Sequence, residues 1–248
     1  LVVDSISPVL DVKYDFTGSK NTLDTYYTND DVTVKFEIKD DNFDLRSADP
    51  VFMVGSMKIA LTWVEDKTEG VWKAEQLLSG DNTYNLSLTF SDASNNEMNA
   101  YAQTIIIDSV APIISSNYGT TVSVKENIYN KERVAEFTIT ESNFSASDVQ
   151  LNVTAKDITG ANVDISSKGY AEYVKNDANW VHNGNIHTIK LPDFDIDAIY
   201  TVDISYTDLA KNSANDYPVD EFIVDMSDAT NVKVEYSTSI VDKVLENI

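Results

Sequence analysis

The sequence predicts an all-β chain: two tandem antiparallel β-sandwiches followed by the opening fragment of a third. Three observations carry this expectation. Framework phrases recur in the same order along the 248 residues. Inside those phrases apolar and polar residues alternate with period two, and no segment longer than about ten residues shows the 3.6-residue periodicity of an amphipathic helix.

The first recurring phrase is Val3-Asp4-Ser5-Ile6-Ser7-Pro8, which returns as Ile107-Asp108-Ser109-Val110-Ala111-Pro112 and, without its proline, as Val224-Asp225-Met226-Ser227-Asp228. The second is Phe36-Glu37-Ile38-Lys39-Asp40-Asp41-Asn42-Phe43, matched by Phe137-Thr138-Ile139-Thr140-Glu141-Ser142-Asn143-Phe144. The third runs from Tyr84 to Asn96 and is matched from Tyr200 to Asn212. The order holds while the spacing grows, so one loop or hairpin is longer in the second copy.

Alternation identifies the strands. Tyr84, Leu86, Leu88 and Phe90 face one way while Asn85, Ser87 and Thr89 face the other, and Tyr200, Val202, Ile204 and Tyr206 repeat the pattern. Such a strand buries one face and wets the other. Val32 to Ile38, Ile105 to Ile107, Val134 to Ile139, Leu151 to Ala155 and His187 to Leu191 read alike. Glycine is scarce at eight residues, so Asn and Asp must build most turns through their own side chains. The predicted modules span residues 1–107, with 1–3 as the tail of a preceding strand, then 108–224; residues 225–248 form a linker and the first strand of a truncated third module. Ile240 to Ile248 is the nearest approach to a helix.

Composition excludes several function classes. Eighteen Lys and Arg stand against 41 Asp and Glu, a net charge of -23, which repels nucleic-acid phosphates and anionic membrane surfaces. There is no Cys, hence no disulfide, thiol nucleophile or thiolate metal site. No apolar run approaches the ~20 residues of a membrane span. The chain reads as a fragment of a longer protein whose export signal and anchor lie elsewhere.

These residues carry a resemblance. The Asp108 to Pro112 opening, the Tyr200 to Asn212 strand and turn, and the closing Phe222-Ile223-Val224-Asp225 resemble the tandem Ig-like modules of large bacterial cell-surface proteins, particularly those of Gram-positive gut bacteria. Two departures stand out: Lys211 replaces the usual glycine, and the first copy has Ser94-Asn95 there. The expectation is that these turns are built differently. The resemblance implies a non-catalytic extracellular segment, at the bacterial cell surface or attached to the cell wall, that binds a host protein or glycoprotein of the immunoglobulin, matrix or mucin class. The alternatives it leaves are a rigid stalk projecting another domain and an accessory module of a carbohydrate-active enzyme. Neighbouring Ig-like modules are expected partners.

Placed on Ig-like topology, the acidic residues converge where the chain enters each sandwich. In the second copy these are Asp108, Glu141, Asn143, Asp208 and Asn212; in the first they are Asp4, Asp40, Asn42, Asp92 and Asn96. Clustered oxygen ligands suit a hard cation such as Ca²⁺, the one cofactor to be considered, which would stiffen a module junction. The same residues also serve simply to cap turns, and no contiguous Asp-x-Asp-x-Asp-Gly loop is present.

Enzyme chemistry has little support. His182 and His187 are the only histidines; as a pair they make a weak zinc site, and no motif surrounds a pairing of His187 with Ser166 or Ser167. Trp72 and Trp180 read as equivalent core tryptophans, whereas Trp63 lacks a counterpart and, with Tyr26, Tyr27, Tyr170 and Tyr173, forms a candidate recognition surface. Lys35, Lys39, Lys125 and Lys131 are candidates for intramolecular isopeptide bonds.

Overall fold

The alternation in Val32–Lys39 becomes a strand that buries Val32, Val34, Phe36 and Ile38 and turns Thr33, Lys35, Glu37 and Lys39 outward. A computed structural model describes residues 4–227 except 17–18, 21–24, 44–49, 68–69 and 120–122. The expected third-module fragment, like the expected strand tail at residues 1–3, lies outside the described residues, Asp225 to Ser227 excepted.

The first ten strands are β1 (Val9–Asp15), β2 (Ser19–Lys20), β3 (Thr25–Thr28), β4 (Val32–Lys39), β5 (Val51–Val54), β6 (Met57–Ile59), β7 (Val64–Glu65), β8 (Val71–Leu78), β9 (Asn82–Thr89) and β10 (Tyr101–Ile107). They form two sheets, ordered β1-β4-β8-β7 and β2-β3-β10-β9-β5-β6. The next eight are β11 (Ile113–Asn117), β12 (Ile128–Tyr129), β13 (Glu136–Thr140), β14 (Gln150–Lys156), β15 (Trp180–Asn183), β16 (Ile186–Lys190), β17 (Ala198–Ser205) and β18 (Asp220–Val224). Their sheets are β11-β13-β16-β15 and β12-β18-β17-β14. No described strand of one set joins a sheet of the other.

Each pair of sheets encloses its own core. Val34, Phe36, Phe52, Leu88 and Ile105 are buried in the first; Phe137, Ile189, Phe194, Tyr200 and Phe222 in the second. Burying such side chains contributes about 1.5–3 kcal/mol each, which offsets the entropy of ordering the strands. The result is an all-β tandem of Ig-like sandwiches.

The registers superimpose the copies strand by strand. β1, β4, β8 and β7 correspond to β11, β13, β16 and β15, and the parallel pair β3 with β10 recurs as β12 with β18. The difference follows β5. In the first copy Gly55, at φ 59°, turns it directly into β6. In the second, β14 leads into an excursion in which an α-helix, α1 (Tyr170–Lys175), lies between two 3₁₀ turns and packs Tyr170 and Val174 into the core. Six residues are too few to print a helical period, so the sequence pattern did not show it.

Candidate functional site: an acidic seat at the leading pole of each sandwich

β13 ends at Thr140 beside Ile113, the first residue of β11, so the chain after β13 emerges where it entered the sandwich. The loops after β13 and after β17 both lie there and meet the segment leading out of β10. Asp108, Glu141 and Asp208 are 7%, 4% and 2% exposed, and oxygens of all three lie within 4.8 Å of one another.

Backbone and asparagine donors hold this arrangement. The backbone N–H of Val110 donates to Asp108 Oδ1 at 3.0 Å, and that of Asn143 to Glu141 Oε1 at 2.6 Å. Asn143 Nδ2 donates to Asp108 Oδ2. Asn212 donates from its backbone N to Asp208 Oδ1 at 2.8 Å and from Nδ2 to Asp208 Oδ2 at 2.9 Å and Asp108 O at 2.7 Å. Asn143 and Asn212, expected as ligands, each use amide hydrogens to orient a neighbouring carboxylate.

The first sandwich repeats the pattern. Ile6 N donates to Asp4 Oδ1, Asn42 Nδ2 to Asp4 Oδ2, Asn42 N to Asp40 Oδ1, and Asn96 to both oxygens of Asp92, at 2.7–3.0 Å. Asn96 Nδ2 also reaches Asp4 O at 3.3 Å. Asn95 (φ 63°) and Lys211 (φ 77°) occupy the same left-handed position, and their N–H groups donate to Asp92 O and Asp208 O. The expectation that these two turns differ is thus corrected: a left-handed Lys or Asn makes the same loop that glycine would.

Burial raises the Glu141 and Asp208 carboxyls above their usual range, and the neighbouring carboxylates add to the rise. Asp40 is raised for the same reasons. In Asp92 burial pushes upward too, but donation from Asn96 and Ser94 outweighs it and the carboxyl ends lower than usual. Among the described residues no Lys or Arg ion pair involves either seat. Three converging carboxylates without a counter-charge offer the oxygen donors that a hard cation takes, with the Asp108 or Asp4 carbonyl beside them.

The first sandwich contributes to the seam as well. Asp108 N donates to Thr28 O at 2.9 Å, Asp81 accepts from Ser109 N at 2.9 Å and Oγ at 3.1 Å, and Asn29 Nδ2 donates to Asn212 Oδ1 at 3.2 Å. A cleft of about 350 Å³ between the sandwiches is lined by Asp81, Ile107, Asp108, Ile113, Glu141 and Asn185. The trailing pole of the second sandwich reproduces the donor side: Asp225 N donates to Tyr129 O at 2.9 Å, and Asp197 Oδ1 accepts from Met226 N at 2.7 Å. Sequence reading missed Asp81 and Asp197, although both copies spell Asp-x-x-Tyr there, as Asp81 to Tyr84 and Asp197 to Tyr200.

The aromatic expectations need correction. Trp63 and Tyr170 are buried in their cores, Tyr26 packs against Tyr14 and Phe16, Tyr27 is half-buried on β3, and Tyr173 packs half-buried on the second core. Trp63 and Tyr170 are consumed by packing, and the five stand in different sandwiches, so they form no common surface. The registers also reassign the tryptophans. Trp63 precedes β7 as Trp180 opens β15, and both rings approach the equivalent Phe43 and Phe144. Trp72 corresponds instead to His187: Trp72 stacks on Phe43 at 4.6 Å and His187 on Phe144 at 4.2 Å. The inserted excursion before β15 disguised both matches.

His187 directs its ring nitrogens to His182 and to the Glu141 carbonyl, so it is not paired with Ser166 or Ser167. Lys35 and Lys39 sit in exposed ion pairs with Asp15 and Glu37, and Lys125 and Lys131 are exposed. None has the buried setting in which a lysine reaches an Asn or Asp to form an amide bond.

No protein-family model matches the chain, and no curated protein matches it by sequence. Among solved structures it is similar to the fibronectin(III)-like modules of Clostridium thermocellum CbhA, with a TM-score of 0.34 and 11% identity over 86% of this chain and 94% of that one. The tandem Ig repeats of Dlar match with a TM-score of 0.20 and 10% identity over 86% and 97%. Native alpha-2-macroglobulin from Escherichia coli, spanning domains MG0-NIE-MG1, matches with a TM-score of 0.21 and 10% identity over 87% and 71%. What the chain does has to be read from its own residues.

Proposed function

We propose that the chain is a non-catalytic, extracellular, surface-projecting segment whose sandwiches are held end to end by the acidic seat, closed by a hard divalent cation, Ca²⁺ in that setting. The observation supporting this is Asp108. Its N–H is bonded into the first sandwich, while its carboxylate joins two buried carboxylates of the second. A cation there would cancel the repulsion that burial aggravates and tie both sandwiches to one point. Thermal melting with and without chelator tests it. Ca²⁺ at about 100 times its dissociation constant stabilises by ~2.7 kcal/mol, so melting should fall on chelation; an unchanged melting temperature makes Asp108, Glu141 and Asp208 turn formers.

A second reading, binding of a host protein, is favoured by the outer face of the β11-β13-β16-β15 sheet. In the first sandwich the equivalent face carries Asp11, Glu37, Lys39 and Lys73. At the corresponding register the second has Ser115, Thr138, Thr140 and Thr188, flanked by Ile113 (61% exposed) and Val181 (70% exposed). This patch is uncharged as far as Glu136 and Lys190, which face each other at its edge. That suits the core of an interface with a charged rim, so the partner is a protein with an apolar centre. Purified host immunoglobulin, a matrix glycoprotein and a mucin are the probes. The double substitution Thr138→Glu with Thr188→Lys installs the first sandwich's own charges and should abolish binding without unfolding the module; retained binding removes this face from consideration.

A further inference from the structure

We infer that His182 and His187 form a site for a late first-row transition metal, separate from the acidic seat and particular to the second sandwich. The two residues face each other directly across the β15–β16 pair, next to the Asn183–Ile186 pair that closes the Gly184-Asn185 turn. Their Nδ1 atoms point at one another 2.8 Å apart. The first sandwich has Glu65 opposite Trp72 at that register, so the pair is not part of the repeated framework.

The proton positions follow from the acceptors behind each ring. His187 Nε2 lies 2.7 Å from the Glu141 carbonyl. A carbonyl only accepts, so this nitrogen carries the hydrogen and a neutral His187 presents a lone pair at Nδ1. At 2.8 Å the two Nδ1 atoms are hydrogen-bonded, so in the metal-free pair His182 donates from Nδ1 to the His187 lone pair. His182 Nε2 lies 3.5 Å from Asp177 Oδ1, an acceptor toward which the hydrogen can move when the other tautomer is adopted. Two Nδ1 lone pairs then face one place, which a metal ion can take, and a carbonyl and a carboxylate behind the imidazoles are the outer partners that metal-binding histidines characteristically use.

The room is present. A tetrahedral ion with bonds of about 2.0–2.1 Å holds two nitrogens about 3.3 Å apart, so His182 needs to swing out by about half an ångström. Its side chain is 39% exposed and free to do so, whereas His187 is buried and fixed by stacking on Phe144. Solvent beside His182 completes the coordination. Imidazole nitrogen selects Cu²⁺, Ni²⁺ and Zn²⁺ over Ca²⁺, with Cu²⁺ strongest.

Calorimetric titration with Cu²⁺ and Ni²⁺, on protein held in excess Ca²⁺ so that the acidic seats are occupied, tests the inference. The wild-type chain should bind one equivalent. His182→Ala, at an exposed position that leaves the fold intact, should lose that equivalent. Asp177→Asn should weaken it about tenfold, as removal of an outer partner does. Absence of binding by the wild type, or undiminished binding by His182→Ala, overturns the site and leaves the Ca²⁺ reading untouched.

Discussion

Asn143 donates its side-chain amide to the carboxylate of Asp108, a residue whose own N–H is bonded to Thr28 of the preceding sandwich. One asparagine thus fixes the residue on which the two sandwiches meet. Asn42 holds Asp4 in the same way at 2.7 Å. Replacing Asn143 with Ala leaves a buried carboxylate oxygen short of a donor, which costs about 1.5–3 kcal/mol for a charged group. Differential scanning calorimetry should show that loss in the second sandwich and not in the first. Asn42→Ala should do the converse.

The two cores share no described sheet, so they should fail separately. Phe52 and Phe137 are fully buried, one in each. Phe→Ala at such a site costs about 3–5 kcal/mol. Calorimetry of Phe52→Ala should therefore lower one melting transition and leave the other in place, and Phe137→Ala should reverse the pattern. A single transition shifted by both would mean one cooperative unit.

Lys211 carries a left-handed backbone at φ 77° with no glycine to relieve it. An L-residue pays about 1–2 kcal/mol there. Lys211→Gly should raise stability to denaturant by about 1 kcal/mol, less than the full strain because the unfolded glycine chain gains entropy. Asn95→Gly should gain less, since asparagine tolerates this region. A destabilised Lys211→Gly would show that the side chain contributes something the loop geometry does not.

In chelator the seat of the second sandwich should make stability fall as pH rises. The Glu141 and Asp208 carboxyls are raised in the folded chain by burial and by their neighbours. Between the ordinary carboxylate range and those raised values the folded state binds more protons than the unfolded one, so stability declines with increasing pH. Chemical denaturation at a series of pH values checks this. A decline that Glu141→Gln and Asp208→Asn do not diminish would place its origin elsewhere.

The fold was legible because its signals are local. Alternation in Val32–Lys39 and in Ala198–Ser205 states directly which side chains go inward. The convergence of Asp108, Glu141 and Asp208 could also be reached, since Ig-like topology alone brings the loops after β13 and β17 to one pole. Other features were out of reach for physical reasons. α1 is a single short turn held by tertiary packing of Tyr170 and Val174. The equivalence of Trp72 with His187 appears only in register, because the excursion before β15 shifts the numbering. Trp63 and Tyr170 were expected at a surface where the cores had claimed them, and the stripped charges at Thr138 and Thr188 became visible only once each strand's outward face was known.

Small-angle X-ray scattering of the wild-type chain and of Asp108→Ala, each in Ca²⁺ and in chelator, bears most directly on how the sandwiches are joined. A clamped seam predicts a narrow, elongated distance distribution for wild type in Ca²⁺, which broadens on chelation and is already broad in Asp108→Ala whatever the ion present. Identical curves in all four conditions would contradict a cation-closed joint at Asp108.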